Sequence, residues 1–201
     1  MSEIRLFDNQ GRRNYLSAEE RERFLAASRQ ARPELRTLCD TLVFTGARVS
    51  EALELTPARI DMSGQRVIIR SLKKRKDKLG NQMIEHRAVP VPPALLDTLQ
   101  AAHGIRQAQK RGGAKAAARI WPWTRQHAAV LIKGVMPAAQ ILEGLHRKAH
   151  GLRHAYGVHA IGAGVPLNLL QKWGMRTSPP RRSTPMPSAR RSRPSRKRMW
   201  A

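Results

Sequence analysis

The chain has 201 residues, 41% of them hydrophobic, which suits one domain with a real core. Its 38 Lys and Arg against 14 Asp and Glu give a formal charge of +24, which favours a polyanionic partner over an acidic small substrate. No apolar run approaches the ~18 residues of a membrane span, the N-terminus with Glu3 and Asp8 lacks a signal-peptide pattern, and the lone Cys39 forms no intramolecular disulfide, so a cytoplasmic protein is expected.

Residues 1–14 are polar and read as a flexible N-terminus; residues 15–173 read as one domain. Ser17-Ala18-Glu19-Glu20 is a capping box, and Phe24 and Leu25 follow at helical spacing, which predicts a helix to about Gln30. Pro33 opens a second helix with Leu35, Leu38, Cys39, Leu42 and Val43 as its apolar stripe, stopping at Gly46. A short third helix carries Val49, Ala52 and Leu53 and ends before Pro57. The period then changes to two: Gln65–Arg70 and His86–Val91 read as strands around a turn-rich basic segment, Leu72 to Met83.

Helix resumes at Pro93 and runs to about Gln109, before the flexible connection Arg111-Gly112-Gly113. Trp121-Pro122-Trp123-Thr124 caps a further helix to about Val135, and helical pattern returns from Ala138 through His146. The next helix starts near Leu152 and ends at Gly162-Ala163-Gly164; Pro166 opens a last one, Leu167 to Trp173. The fold class is therefore mainly α with a small antiparallel sheet.

Residues 174–201 break from this composition. They hold five prolines, five serines, nine basic residues and no Leu, Ile or Val, which predicts a basic disordered tail. Without it the chain still has 29 basic residues against 14 acidic ones, so the folded part is basic in its own right.

Opening a phosphodiester without a metal needs fixed cations around the non-bridging oxygens, where charge builds in the transition state. Arginine suits this because its planar fork donates paired hydrogen bonds and keeps its proton at neutral pH. Arg48, at a helix start just after a Gly turn, and Arg153, on a separate helix, can converge on one phosphate, with Glu51 three residues on from Arg48 to orient it. His146, His150 and His154 fall at i, i+4 and i+8, with His159 beyond. Only Glu143 and no cysteine accompanies them, and Gly151 interrupts the run, so neither a metal nor a cofactor is expected.

Thr45-Gly46-Ala47-Arg48-Val49-Ser50-Glu51-Ala52-Leu53-Glu54-Leu55 followed by Ile60-Asp61, a basic hairpin, and His150-Gly151-Leu152-Arg153-His154 followed by Gly164-Val165-Pro166 resembles the catalytic domain of the tyrosine recombinases, the phage integrase family. The likeness covers about Leu16 to Trp173. It implies a mainly helical fold with a small sheet that binds duplex DNA and performs site-specific breakage and rejoining without metal or nucleotide. Arg48 and Arg153 then look like the phosphate clamp and His150 like the acid/base or hydrogen-bonding histidine. The family's hairpin lysine falls at Lys73, with Lys74 as the alternative; Lys74, Arg75 and His154 are expected on DNA. The intact family assembles as homo-oligomers on DNA, an assembly expected to be impaired here.

The pattern fails at its end. The family next shows Leu-Gly-His, four residues, Thr-Thr, two residues and the nucleophilic tyrosine, whereas this chain has Trp173-Gly174-Met175-Arg176 and the basic tail. Tyr15 precedes the domain and Tyr156 sits where an aromatic packs. The fold is thus expected to be truncated at its C-terminal end. Reading the codons of Trp173 through Ala189 one base out of step permits Gly-His-Ala-His-Leu-Ser-Thr-Thr-Ala-Ile-Tyr-Ala-Asp-Ala-Val-Gly, which restores the box at the right spacing. A frameshift near Trp173 is the reading adopted, and a chain without the tyrosine forms no phosphotyrosyl intermediate. Two other readings compete: a non-catalytic DNA-binding protein occupying a recombination site, and an RNA-binding basic protein, which the scarcity of stacking aromatics disfavours.

Overall fold

The computed structural model describes residues 6–72, 75, 76, 82–141, 144 and 146–175, with the backbone alone at 75, 76, 82 and 83. Lys73, Lys74 and the residues beyond Met175 lie outside the described residues. Residues 6–14 close a local turn, bridging Phe7 to Arg13 and gathering Gln10 and Arg12 onto the Asp8 carboxylate.

Helix α1 (Ala18–Ser28) begins as the sequence predicts: Ser17 N–H donates to Glu20 Oε2 at 2.8 Å while Glu20 N–H donates to Ser17 Oγ at 3.2 Å. Helix α2 (Pro33–Thr45) has Pro33 in its first turn and is the central strut. Its Leu38, Cys39, Leu42 and Val43 are sealed in the core. Burial pushes the Cys39 thiol far up, so it acts as a small hydrophobe. Gly46 ends the helix with φ +59, and a Cβ there would meet the Tyr156 ring at 2.4 Å; backbone and packing both demand glycine. Helix α3 (Val49–Leu53) follows at once.

The main sheet has order β1-β2-β5, all antiparallel, from β1 (Ile60–Asp61), β2 (Arg66–Arg70) and β5 (His86–Pro90). Val67 faces Val89 and Ile69 faces Arg87 across the register, and all four side chains are buried. The two-residue β1 was not foreseen. Within the basic segment, β3 (Arg75–Lys76) pairs with β4 (Gln82–Met83).

Helix α4 (Pro93–His103) stops short of the predicted Gln109, because the chain turns left-handed at Gly104 (φ +60) and starts again as α5 (Ile105–Arg111). His103 Nε2 lies 2.8 Å from Thr37 Oγ1, tying the end of α4 to α2. Beyond the expected Gly112-Gly113 joint is an unforeseen short helix, α6 (Gly113–Ala117). Helix α7 (Arg125–Ala138) starts where Thr124 Oγ1 accepts from His127 N–H at 3.2 Å.

The helix predicted over Ala138–His146 is not found among its described residues: α7 ends at Ala138, just past Pro137, and Gln140 takes φ +54. Helix α8 (Ala149–Gly162) begins earlier than predicted and runs through the core against α2, α1 and α7. Helix α9 (Leu167–Lys172) packs on α8 through Leu170, leaving Leu167 and Leu169 exposed. Among the described residues no helix is long and apolar enough to cross a membrane.

Candidate functional site

Three elements meet where α2 ends. The turn at Gly46 delivers Arg48 to the start of α3, and Glu51 reaches back to hold it: Arg48 N–H donates to Glu51 Oε2 and Arg48 Nη1 to Glu51 Oε1, both at 3.0 Å. The Arg48 side chain is 41% exposed whereas Glu51 is 1% exposed, so a cation at the surface is anchored by a carboxylate beneath it. The orienting role read for Glu51 from its spacing is thus present in the geometry.

The same carboxylate holds a second arginine. Arg87 on β5 donates from Nη2 to Glu51 Oε2 at 2.6 Å, and is itself buried. Burial works to raise the Glu51 carboxyl, but the Arg87 hydrogen bond and charge, with Arg48 adding to them, hold it below its ordinary value. Arg87 was missed in the sequence. Its signal was present: in His86–Pro90 the inward face of a period-two strand carries Val89 and, two residues before it, a charge that must find a partner inside.

Arg153 enters from α8 and is 4% exposed. Its Nη1 donates to the Gly46 carbonyl and its Nη2 to the Gly174 carbonyl at 2.7 Å, so the guanidinium clamps the end of α2 to the chain leaving α9. Among the described residues two of its five N–H donors are thereby engaged. Burial first, then the nearby Arg48, lowers its pKa to about 10, well above neutrality. Arg48 and Arg87 are both ion-paired with Glu51, and Arg153 lies within the field of these three groups, so positive charge is in excess among them.

His150 stands exposed in the first turn of α8, one turn before Arg153. Partial burial, then Arg153 and Arg48, push its pKa down, favouring the neutral imidazole at pH 7. Its ring meets that of His154 edge-on, with centroids 4.6 Å apart. His154 is placed differently from the sequence expectation: at 5% exposure it lies inside, its pKa lowered to about 4 by burial and then by His150 and Arg153. Its side chain supports His150 from within rather than facing solvent. Arg75 has its backbone in β3, and Lys73 and Lys74 fall outside the described residues.

Gly151 is required for packing, since a Cβ there would sit 2.0 Å from the His146 carbonyl oxygen. His146 precedes α8 and its Nε2 lies 3.9 Å from Glu20 Oε1, so the helical i, i+4 relation with His150 does not hold. Both tyrosines are packed against neighbouring residues. Tyr156 is buried with its ring against Gly46, and burial, which Arg87 and Arg153 oppose, raises its phenol to about 12. Tyr15 packs edge-on to Phe7 and under Arg13.

Residues 14–175 match the family model of the phage integrase family. A resolvase of Escherichia coli is 33% identical over 162 residues, covering 69% of this chain and 61% of its own length. Among solved structures, the XerA recombinase superposes with TM-score 0.63 at 18% identity, over 82% of this chain and 56% of that one. The XerH site-specific recombinase, in a pre-cleavage complex with its difH substrate, gives TM-score 0.59 at 18% identity, over 83% and 52%. These structures share the fold, and the chain spans between about half and six-tenths of the length of each of these relatives.

Proposed function

This chain belongs to the phage integrase family, and from that premise we propose that it binds duplex DNA and grips one phosphodiester at the Arg48, His150 and Arg153 site as a site-specific recombinase domain, but does not cut it as written. The observation that carries the reading is the pairing of Arg48 and Arg87 with the Glu51 carboxylate, Arg48 at the surface, beside a buried Arg153 within the field of all three. Such a site favours a phosphate whose negative charge completes it. The formal charge of +24 supplies the long-range attraction for a duplex, and the Tn1549 transposon integrase of the same fold, solved in complex with transposon right end DNA, supports such a partner.

Within this reading Arg48 and Arg153 form the clamp and His150 is the hydrogen-bonding or acid/base group. Lys73, or Lys74 beside it, protonates the departing oxygen in an intact active site, and Lys74 and Arg75 follow the backbone. His154 acts through His150. Cleavage needs a nucleophile, and with Tyr156 packed under Gly46 and Tyr15 engaged by Arg13 no covalent intermediate forms. A DNA-occupying competitor of an intact recombinase is then the activity left to the chain, and assembly on DNA is weakened, with Leu167 and Leu169 left exposed.

The test is selection of bound duplexes from a random-sequence pool, followed by nicked suicide versions of the enriched sequence. Stable complexes without covalent protein are expected. A covalent product would overturn the inactivity, and tighter binding to RNA than to any duplex would overturn the DNA reading.

A further inference from the structure

A second concentration of positive charge lies away from this site. Where α4 ends, α5, α6 and the 3-10 turn Pro57–Arg59 enclose a cleft of about 330 Å³ whose lining includes His103, Gln107, Arg111, Lys115 and Arg119. The sequence contains no Asp or Glu between Asp97 and Glu143. Among the described residues the carboxylate paired with these cations is Glu54, 3.6 Å from Arg119, which leaves Arg111 and Lys115 uncompensated at the mouth.

The walls are built rather than incidental. Gln109 Nε2 donates to the carbonyls of Pro57 at 2.8 Å and Ile60 at 2.7 Å, fixing α5 to the turn. Ile120 N–H donates to the Leu55 carbonyl at 2.9 Å, fixing the far end of the α6 segment. The cleft is also separate from the arginine site. His103 is tied to Thr37, nine residues before Gly46 on the same helix, which at ~1.5 Å per residue is on the order of 13 Å along its axis from the carbonyl that holds Arg153. The cleft and the arginine site are therefore separate places on the fold.

We propose that this cleft is a second phosphodiester-backbone site, seating DNA at a point that Arg48 and Arg153 do not reach. It rests on the DNA-binding reading above. The size admits a backbone phosphate with its sugar, Arg111 offers a planar fork and Lys115 a point charge, and Gln107 adds a neutral donor. The DNA is either the flank of the duplex already gripped or a second duplex brought alongside it.

The experiment measures the affinity of the full chain for a fluorescent 30-base-pair duplex across a salt series, for the wild type, the double variant R111Q/K115Q, and R106Q/K110Q, which removes equal charge from α5 outside the cleft. The cleft variant is expected to bind about tenfold more weakly at 0.1 M salt, with the log–log salt slope reduced by roughly two, and the control to change by less than half as much. Equal effects of the two double variants would overturn the cleft site while leaving the arginine site standing. A wild type that binds no duplex would overturn both. Capture of a second labelled duplex by chain held on an immobilised one, lost in the cleft variant, assigns the second duplex. The affinity loss without such capture assigns the flank, and either supports the site.

Discussion

Arg87 and Glu51 meet at 2.6 Å with side chains 7% and 1% exposed, and the same carboxylate holds the exposed Arg48 at 3.0 Å. The buried pair is therefore the foundation of the surface cation. Breaking one partner of a buried pair leaves an uncompensated charge, which costs about 3 to 5 kcal/mol. Arg87→Met is expected to lower stability by that amount in urea denaturation, whereas Arg48→Gln, at an exposed position, should cost less than about 1 kcal/mol.

Acid should destabilise the fold before its carboxylates titrate. His154 has an ordinary value of 6.5 and is held at about 4 in the folded chain. Between these values the unfolded state binds the extra proton, so stability is complete above about pH 6.5 and falls as pH drops toward 4, by about 3 kcal/mol at most. His150 and His103, both lowered chiefly by burial, act in the same direction. Glu51, held below its ordinary value, adds its loss at lower pH. Denaturation midpoints at pH 7 and pH 5 check this, and His154→Gln should flatten the difference.

Two glycines set the geometry of the arginine site. Gly46→Ala forces a Cβ to within 2.4 Å of the Tyr156 ring at φ +59, and Gly151→Ala puts one 2.0 Å from the His146 carbonyl. Each should destabilise by roughly 2 kcal/mol or more. Thermal unfolding measures the effect, with Gly134→Ala, where a Cβ meets nothing within 4 Å, as the control.

The sequence made Arg48, Glu51, His150 and Arg153 legible because each sits in a local motif tied to a turn or helix start. Arg87 shares the inward face of its strand with Val89, but that it meets Glu51 there depends on a contact 36 residues away in sequence, which no local window contains. The break of α4 at Gly104 had a local signal, a glycine free to turn left-handed, but the apolar spacing continues across it into Ile105 and hides the stop. The helix predicted over Ala138–His146 followed apolar spacing alone, and the described part of that stretch buries Ala139 and Ile141 without helical backbone. His154 is expected on DNA from the sequence, whereas on α8 its side chain is buried.

The tail carries its own prediction. The coding DNA from codon 173 onward, read one base out of step, should spell Gly-His, then Thr-Thr and a tyrosine at the family's spacing. Restoring that frame should yield a chain that forms a covalent adduct on a nicked duplex. Coding DNA without that string would refute the frameshift and leave the tail native.

The proposed grip of Arg48 and its buried supports on one phosphate can be measured by a methylphosphonate scan of a selected duplex, neutralising one phosphate at a time and comparing affinity for the wild type and Arg48→Gln. One position per bound chain is expected where neutralisation weakens the wild type about tenfold and the variant hardly at all. Losses spread evenly along the backbone, and equal in the two proteins, would contradict it.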